Sequence, residues 1–234
     1  MRNRGIVLAL LIGAIGVALT VFFLKIRLTP AVASAEGEPI ERLLLTLFII
    51  GGLVFALCLV TLLFNVAVFR RRPGDTEDGP PIEGHTGLEL TWSLVPLAIV
   101  IGLAIYGARV LGEITETPDA EMLEVKVTAF QWGWRFEYPK YGISPPQMTL
   151  PLNRPILFKL TSTDVVHSFW VPEFRVKMDL VPGRETLLRV TPTQIGEFNV
   201  LCAELCGLGH TFMVSPLSVV EEEDFQKWVA AGGK

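Results

Sequence analysis

The sequence is poor in cysteine and poor in charge. Three cysteines in 234 residues exclude a disulfide scaffold, which needs several pairs in a short chain. Charged residues are only 19% of the chain, and acids outnumber bases 24 to 20, so no basic surface for nucleic acid is indicated. There is no internal repeat and no low-complexity tract. Half of the residues are hydrophobic and the mean hydropathy is +0.48. That excludes a disordered chain and does not fit a wholly soluble domain. The balance is that of a chain with one part in lipid and one in water. Its length allows one or two domains.

Charge is missing altogether from three long stretches: Ile6 to Leu24, Leu43 to Phe69 and Leu90 to Ala108. A bilayer-spanning helix needs ~20 mostly apolar residues. The second stretch has Asn65 as its one strongly polar member, and Pro96 near the start of the third is a potential kink. No polar face breaks either of them, so both read as spans rather than buried helices of a soluble protein. The first stretch admits two readings. Arg2 and Arg4 precede it, and Ala31-Val32-Ala33 and Ala33-Ser34-Ala35 offer small-residue cleavage sites, as in a signal peptide. Against cleavage, the run is long enough to span, and Lys25 and Arg27 stand between it and those sites. The balance is toward a retained helix.

Arg70, Arg71 and Arg72 directly follow the second stretch. The positive-inside rule places that loop in the cytoplasm. The chain thus divides into a hydrophobic N-terminal segment (1–35), a transmembrane helical hairpin (36–111) and an outer domain (112–234). Both readings of the first stretch agree on this orientation.

The outer domain has 16 acids and 11 bases, about −5, while the remainder is near neutral. That charge suits a basic soluble partner, and equally suits ordinary solvation. Its local patterns are of β type. Leu123 to Thr128 and Gln131 to Tyr138 alternate, and Ile156 to Thr161, Thr186 to Val190 and Glu197 to Leu201 are further short runs. Proline, glycine and asparagine punctuate them, which predicts a sandwich or barrel. Glu221 to Ala231 predicts a short closing helix.

The chemistry concentrates in Cys202-Ala-Glu204-Leu-Cys206-Gly-Leu-Gly-His210-Thr-Phe-Met213, with His167 upstream in His167-Ser-Phe-Trp-Val-Pro172. Thiolates and thioethers are soft ligands that favour copper. Two thiolates on one tight loop can each bridge two coppers. His167 and His210 would then supply one terminal ligand each, Met213 a weak axial ligand, and the Glu204 carbonyl a neutral donor. Gly207 and Gly209 would let the loop turn tightly. One electron shared over two metals changes each bond little, which suits an electron relay. No ligand position is left open for substrate. Two other readings stand beside this one. Cys202 and Cys206 would form a disulfide in an oxidising compartment, or two Cys and two His would hold zinc. The first leaves His210, Met213 and His167 without a role, and the second lacks the usual zinc spacing. His85 reads as structural and Cys58 as a small packing residue.

The copper run, the His167-Ser-Phe-Trp-Val-Pro172 segment and Gln131-Trp132-Gly133-Trp134 together resemble subunit II of haem-copper cytochrome c oxidases, over roughly residues 40 to 230. The resemblance implies an α+β membrane protein: a helical hairpin, plus the N-terminal hydrophobic helix, followed by a cupredoxin-like Greek-key β-barrel. It implies the binuclear copper centre CuA, with Cys202 and Cys206 bridging and His167, His210, Met213 and the Glu204 carbonyl completing the ligands. It further implies a magnesium ion shared with subunit I through the Glu204 carboxylate. Trp132 would be the point where cytochrome c delivers its electron. Glu89 would stand at the mouth of a proton path into subunit I, and Asp164 would belong to an acidic docking surface.

By the same resemblance the chain accepts electrons from cytochrome c and passes them to haem in subunit I. There oxygen is reduced to water and protons are pumped. Subunit III would be a further partner, and the bacterial inner (plasma) membrane the location, with the copper domain on the periplasmic face. Two departures stand out. Gly133 replaces a frequent aromatic, which thins the aromatic platform, and no Cys-x-x-Cys-His of a fused cytochrome is present, so the expected donor is a separate protein. Three alternatives share parts of the pattern. The copper loop alone also suits a nitrous oxide or nitric oxide reductase. A quinol oxidase subunit would have the fold without the ligands. A membrane-anchored binding module would have the disulfide and no redox role.

Overall fold

The structure is a computed structural model. It describes every residue except Met1, 27–28, 72, 75, 77, 80, 82 and 117–120, and no side chains for a few further residues of the first helix. Arg27 and Arg72, both used above, lie outside the described residues. The chain forms two compact units: residues 1–28 with 42–110, and residues 29–41 with 111–234.

The first unit is helical. It holds helix α1 (Arg2–Lys25), all but the first turn of α2 (Gly37–Val68) and all but the last turn of α3 (Thr86–Thr115). At 1.5 Å per residue, the 32 residues of α2 and the 30 of α3 give about 48 and 45 Å, more than the ~30 Å hydrocarbon core. Leucines, isoleucines and phenylalanines such as Leu53, Phe55, Leu97 and Ile101 stand exposed along them, which lipid would cover. α3 runs on through Pro96. Its first turn is closed by a reciprocal cap: the Leu88 N–H donates to His85 Nδ1 (3.2 Å) and the His85 N–H donates to Glu89 Oε1 (3.1 Å). His85, structural in the sequence reading, is thus a capping residue.

The second unit is a two-layer β-structure. Its strands are β1 (Leu123–Phe130), β2 (Gly133–Glu137), β3 (Met148–Pro151), β4 (Ile156–Ser162), β5 (His167–Val171), β6 (Val176–Leu180), β7 (Thr186–Val190), β8 (Gly196–Cys202) and β9 (Val214–Val220). One sheet has the order β2-β1-β4-β7 and the other β3-β9-β8-β5-β6. Two neighbouring pairs, β1 with β4 and β3 with β9, are parallel and the rest antiparallel. This is the cupredoxin-like arrangement.

Alternation explains which faces meet. In β1, Leu123, Val125, Val127 and Ala129 are fully buried while their neighbours face out. β4 turns in Ile156, Phe158 and Leu160, in register with them. The opposite sheet contributes Phe169, Val200, Leu217 and Val219. Phe158 and Phe169 meet across the core, tilted by 39° with ring centroids 4.9 Å apart. Each such side chain contributes about 1.5–3 kcal/mol by leaving water. A short helix, α4 (Glu222–Ala230), seats Phe225 among Tyr138, Tyr141 and Trp228.

Four strands were not evident in the sequence: β3, β5, β6 and β9. β3 is buried at every position, so it has no alternation to read. β9 alternates but contains Pro216, normally a mark against a central strand. Pro216 pairs only with Asn199 of β8, because β3 begins to pair at Leu217.

The segment 29–41 is a strap on the β unit. The Ala33 N–H donates to the Glu173 carbonyl and the Thr193 N–H to the Ala33 carbonyl. Ser34 Oγ donates to the Phe174 carbonyl (2.8 Å) and accepts the Gly37 N–H (2.9 Å). Glu36 takes the Thr191 N–H and hydroxyl on its two oxygens. Arg175 reaches Glu41 (2.9 Å).

Candidate metal centre

Three elements bring the donor atoms together. His167 opens β5, Cys202 closes β8, and the loop after β8 carries Cys206, His210 and Met213. Cys202 Sγ and Cys206 Sγ lie 3.7 Å apart. All three cysteines are free, so the disulfide reading is not what the fold adopts. His167 Nδ1 is 3.8 Å from Cys202 Sγ, and His210 Nδ1 is 3.5 Å from Cys206 Sγ. Met213 Sδ is 3.9 Å from Cys206 Sγ, and the Glu204 carbonyl oxygen is 3.2 Å from Cys202 Sγ. The His167, Cys202 and Cys206 ligand atoms fall within 4.8 Å of one another. His167, Cys206 and Met213 are buried.

Burial, then the hydrogen bond and charge of Cys202, push the Cys206 thiol up to about 11. Two adjacent thiols, one of them buried, resist ionising together, and a soft cation between them removes that resistance. The donor set therefore fits a soft metal: two sulfurs, two imidazole nitrogens aimed at them, a thioether and a carbonyl. A thioether is out of place around zinc.

A second layer holds the first. Asp164, read from the sequence as a docking acid, is exposed and also directs its carboxylate at His167. Oδ1 meets His167 Nε2 at 2.9 Å and accepts the Val165 N–H at 2.6 Å, while Oδ2 accepts the Gln131 N–H at 2.6 Å. Burial raises the Asp164 carboxyl, but these hydrogen bonds outweigh it and hold it at about 2. An acid on the far nitrogen fixes the imidazole so that Nδ1 faces the sulfur. The Asp-x-x-His spacing was the available signal for this pair. Gln131 was also missed: its side-chain amide donates to the Cys206 carbonyl at 2.7 Å. The Trp132 indole N–H donates to the same carbonyl at 3.2 Å, and the ring is 43% exposed. It links the surface to the cysteine loop.

The two loop glycines have different reasons. Gly207 has φ +117, a left-handed conformation that suits glycine. Gly209 has an ordinary φ of −89, but a Cβ there would stand 2.4 Å from Trp132 Cδ2. It is kept small by the indole rather than by the turn.

Known proteins point the same way. The family description "Cytochrome C oxidase subunit II, transmembrane domain" matches residues 10–110, and "Cytochrome C oxidase subunit II, periplasmic domain" matches 143–221. The chain is 30% identical to cytochrome c oxidase subunit 2 of Synechocystis sp. over 278 residues, covering 99% of this chain and 84% of that one. The chain belongs to the cytochrome c oxidase subunit II family. Another member, from Thermostichus vulcanus, is 30% identical over 86% of this chain and 77% of its own length. Among solved structures, the periplasmic domain of subunit II of cytochrome oxidase from Bradyrhizobium japonicum is 32% identical. It covers 50% of this chain and 96% of its own, with a TM-score of 0.47.

As a subunit II family member, the chain is a transmembrane component of an oxidoreductase complex. The remaining residues expected from the resemblance are placed as follows. Glu204 is exposed, and its carbonyl faces Cys202. Glu89 lies in the first turn of α3, in the helical unit. Gly133 sits against the Phe130 ring, whose Cζ would be 2.8 Å from an added Cβ. An aromatic there would need that ring to move.

Proposed function

We propose that this chain is the electron-accepting subunit of a respiratory cytochrome c oxidase in a bacterial plasma membrane, with its β unit on the outer face. The observation that carries this is the convergence of two free sulfurs 3.7 Å apart with two imidazoles, a thioether and a carbonyl. In this reading Cys202, Cys206, His167, His210, Met213 and the Glu204 carbonyl would together hold a pair of copper ions. Bound there, the copper pair supplies a one-electron redox centre whose charge is spread over two ions.

The chain's own residues set the conditions for that centre. Asp164 holds His167 in one orientation. Burial of His167, Cys206 and Met213 keeps water from the ligands and so limits reorganisation. Trp132 carries the electron from the donor surface to the loop through its contact with the Cys206 carbonyl. The donor is a c-type cytochrome. The acceptor is a haem in subunit I, where oxygen is reduced and protons are pumped. Glu89 stands at the mouth of a proton path into subunit I, and the Glu204 carboxylate binds an interface magnesium ion. Subunit III is a further partner. Arg70 and Arg71 after α2 support the orientation.

The test is to load the full-length chain with copper in detergent, count the metal and record the electron paramagnetic resonance spectrum. Two coppers per chain with hyperfine structure from one electron shared over both nuclei are expected. One copper, or none, rejects the reading. Cys206→Ser is expected to abolish the shared-electron signal and electron uptake while the chain still inserts in the membrane.

A further inference from the structure

The β unit holds a cavity of about 380 Å³ away from the cysteine loop. The last turn of α3 forms one wall with Leu111 and Ile114, and the edge strands β6 and β7 supply Lys177, Leu187 and Arg189. Leu111 is 58% exposed and Leu187 49%, so an apolar surface lies open beside two cations.

The charges there are unevenly paired. Arg175, also in the wall, is spent: it binds Glu41, the Pro172 carbonyl and the Pro30 carbonyl. Glu36 has both oxygens occupied by Thr191. Lys177 and Arg189 have no ion pair among the described residues. Arg189 Nη1 donates to the Thr115 carbonyl at 3.2 Å, but its Nε is buried without a hydrogen-bond partner. Three of the 11 bases of an acidic domain thus line one cavity, two of them without a counter-charge.

The place in the fold names the ligand class. α3 is about 45 Å long against a ~30 Å hydrocarbon core, so its last turn reaches the headgroup layer. A site with free cations and open aliphatic side chains at that depth matches an amphiphile with a negative head. We propose that this cavity binds an anionic phospholipid. The phosphate sits against Lys177 and Arg189, and the glycerol and first acyl carbons sit against Leu111, Ile114 and Leu187. Free phosphate shares the head chemistry but would leave the apolar wall wet.

The test is native mass spectrometry of the full-length chain in detergent with phosphatidylglycerol, with phosphatidylcholine of the same tails, and with inorganic phosphate. Preferential retention of phosphatidylglycerol is expected. Lys177→Gln and Arg189→Gln should each weaken it about fivefold, the worth of one basic side chain at an anionic membrane surface. Equal retention of the two lipids, displacement by inorganic phosphate, or indifference to both substitutions overturns the proposal. Arg189→Gln also removes the Thr115 hydrogen bond, so a second measurement uses the unaltered chain. Phosphatidylglycerol with a photoreactive group at the head of one acyl chain should label residues 111–115 or Leu187, and labelling confined to residues 43–108 refutes the site. Neither measurement needs copper, so the outcome is independent of the redox reading.

Discussion

Gly209→Ala is a sharp probe of how the cysteine loop and Trp132 fit. An added Cβ would lie 2.4, 2.7 and 2.8 Å from Trp132 Cδ2, Cγ and Cε3. Carbon atoms rest about 3.5–4.0 Å apart, so the indole must move by roughly 1 Å or more. The Trp132 Nε1 to Cys206 carbonyl distance is already 3.2 Å, and such a shift breaks it. Forcing extra volume into a packed site costs about 1–3 kcal/mol, and the lost hydrogen bond belongs to that sum. For a domain of this size, 1 kcal/mol moves the melting temperature by roughly 3–5 °C. The φ of −89 at Gly209 means that backbone strain adds nothing. Gly142→Ala is the matched control: it has φ +65 and open space. It should cost about 1–2 kcal/mol through the backbone alone and leave Trp132 untouched. The assay is thermal unfolding of both variants together with tryptophan emission and stopped-flow electron uptake from a reduced c-type cytochrome. Gly209→Ala should lower all three readouts, and Gly142→Ala only the first. Unchanged emission and uptake in Gly209→Ala would refute the packing argument.

Three further outcomes are expected. Asp164→Asn should weaken copper binding about 10–100-fold, as loss of an orienting partner does, measured by competition with a copper chelator; unchanged affinity would mean that His167 needs no partner. Ser34→Ala strips partners from the Phe174 carbonyl and the Gly37 N–H, both buried by the strap, and should destabilise the β unit by about 1–3 kcal/mol in denaturant unfolding, whereas a loss near zero would mean that the strap is not docked. Tyr138 is the pH probe. Burial pushes its phenol well above the usual range despite a hydrogen bond to the Thr149 carbonyl. The unfolded phenol ionises near ~10, so this contribution to stability is intact below that pH and is lost as pH rises above it. Phenolate absorbance from Tyr138 should appear only with unfolding, and reversible ionisation near pH ~10 in a folded chain would contradict it.

Much of this was legible one residue at a time. Uncharged runs of span length marked α2 and α3, because lipid penalises any charge it touches. Period-two alternation marked β1 and β2, and short runs bounded by turn residues marked β4, β7 and β8. The spacing of Cys202, Cys206, His210 and Met213 marked a cluster of soft donors, because all four lie on one short loop. Tertiary structure decided what no local pattern carries. β3 and β9 become strands through a parallel pairing between residues about 70 apart. Residues 29–41, whose Ala31-Val32-Ala33 and Ala33-Ser34-Ala35 read as small-residue cleavage sites, become a strap through partners 140 and 155 positions away. Asp164, an exposed acid, is also a support for His167, and Gly209 answers to a tryptophan 77 positions earlier. The common reason is that hydrophobic period and ligand type are properties of a short stretch, whereas the direction of a carboxylate or the room beside a Cα is set by whatever the fold packs against it.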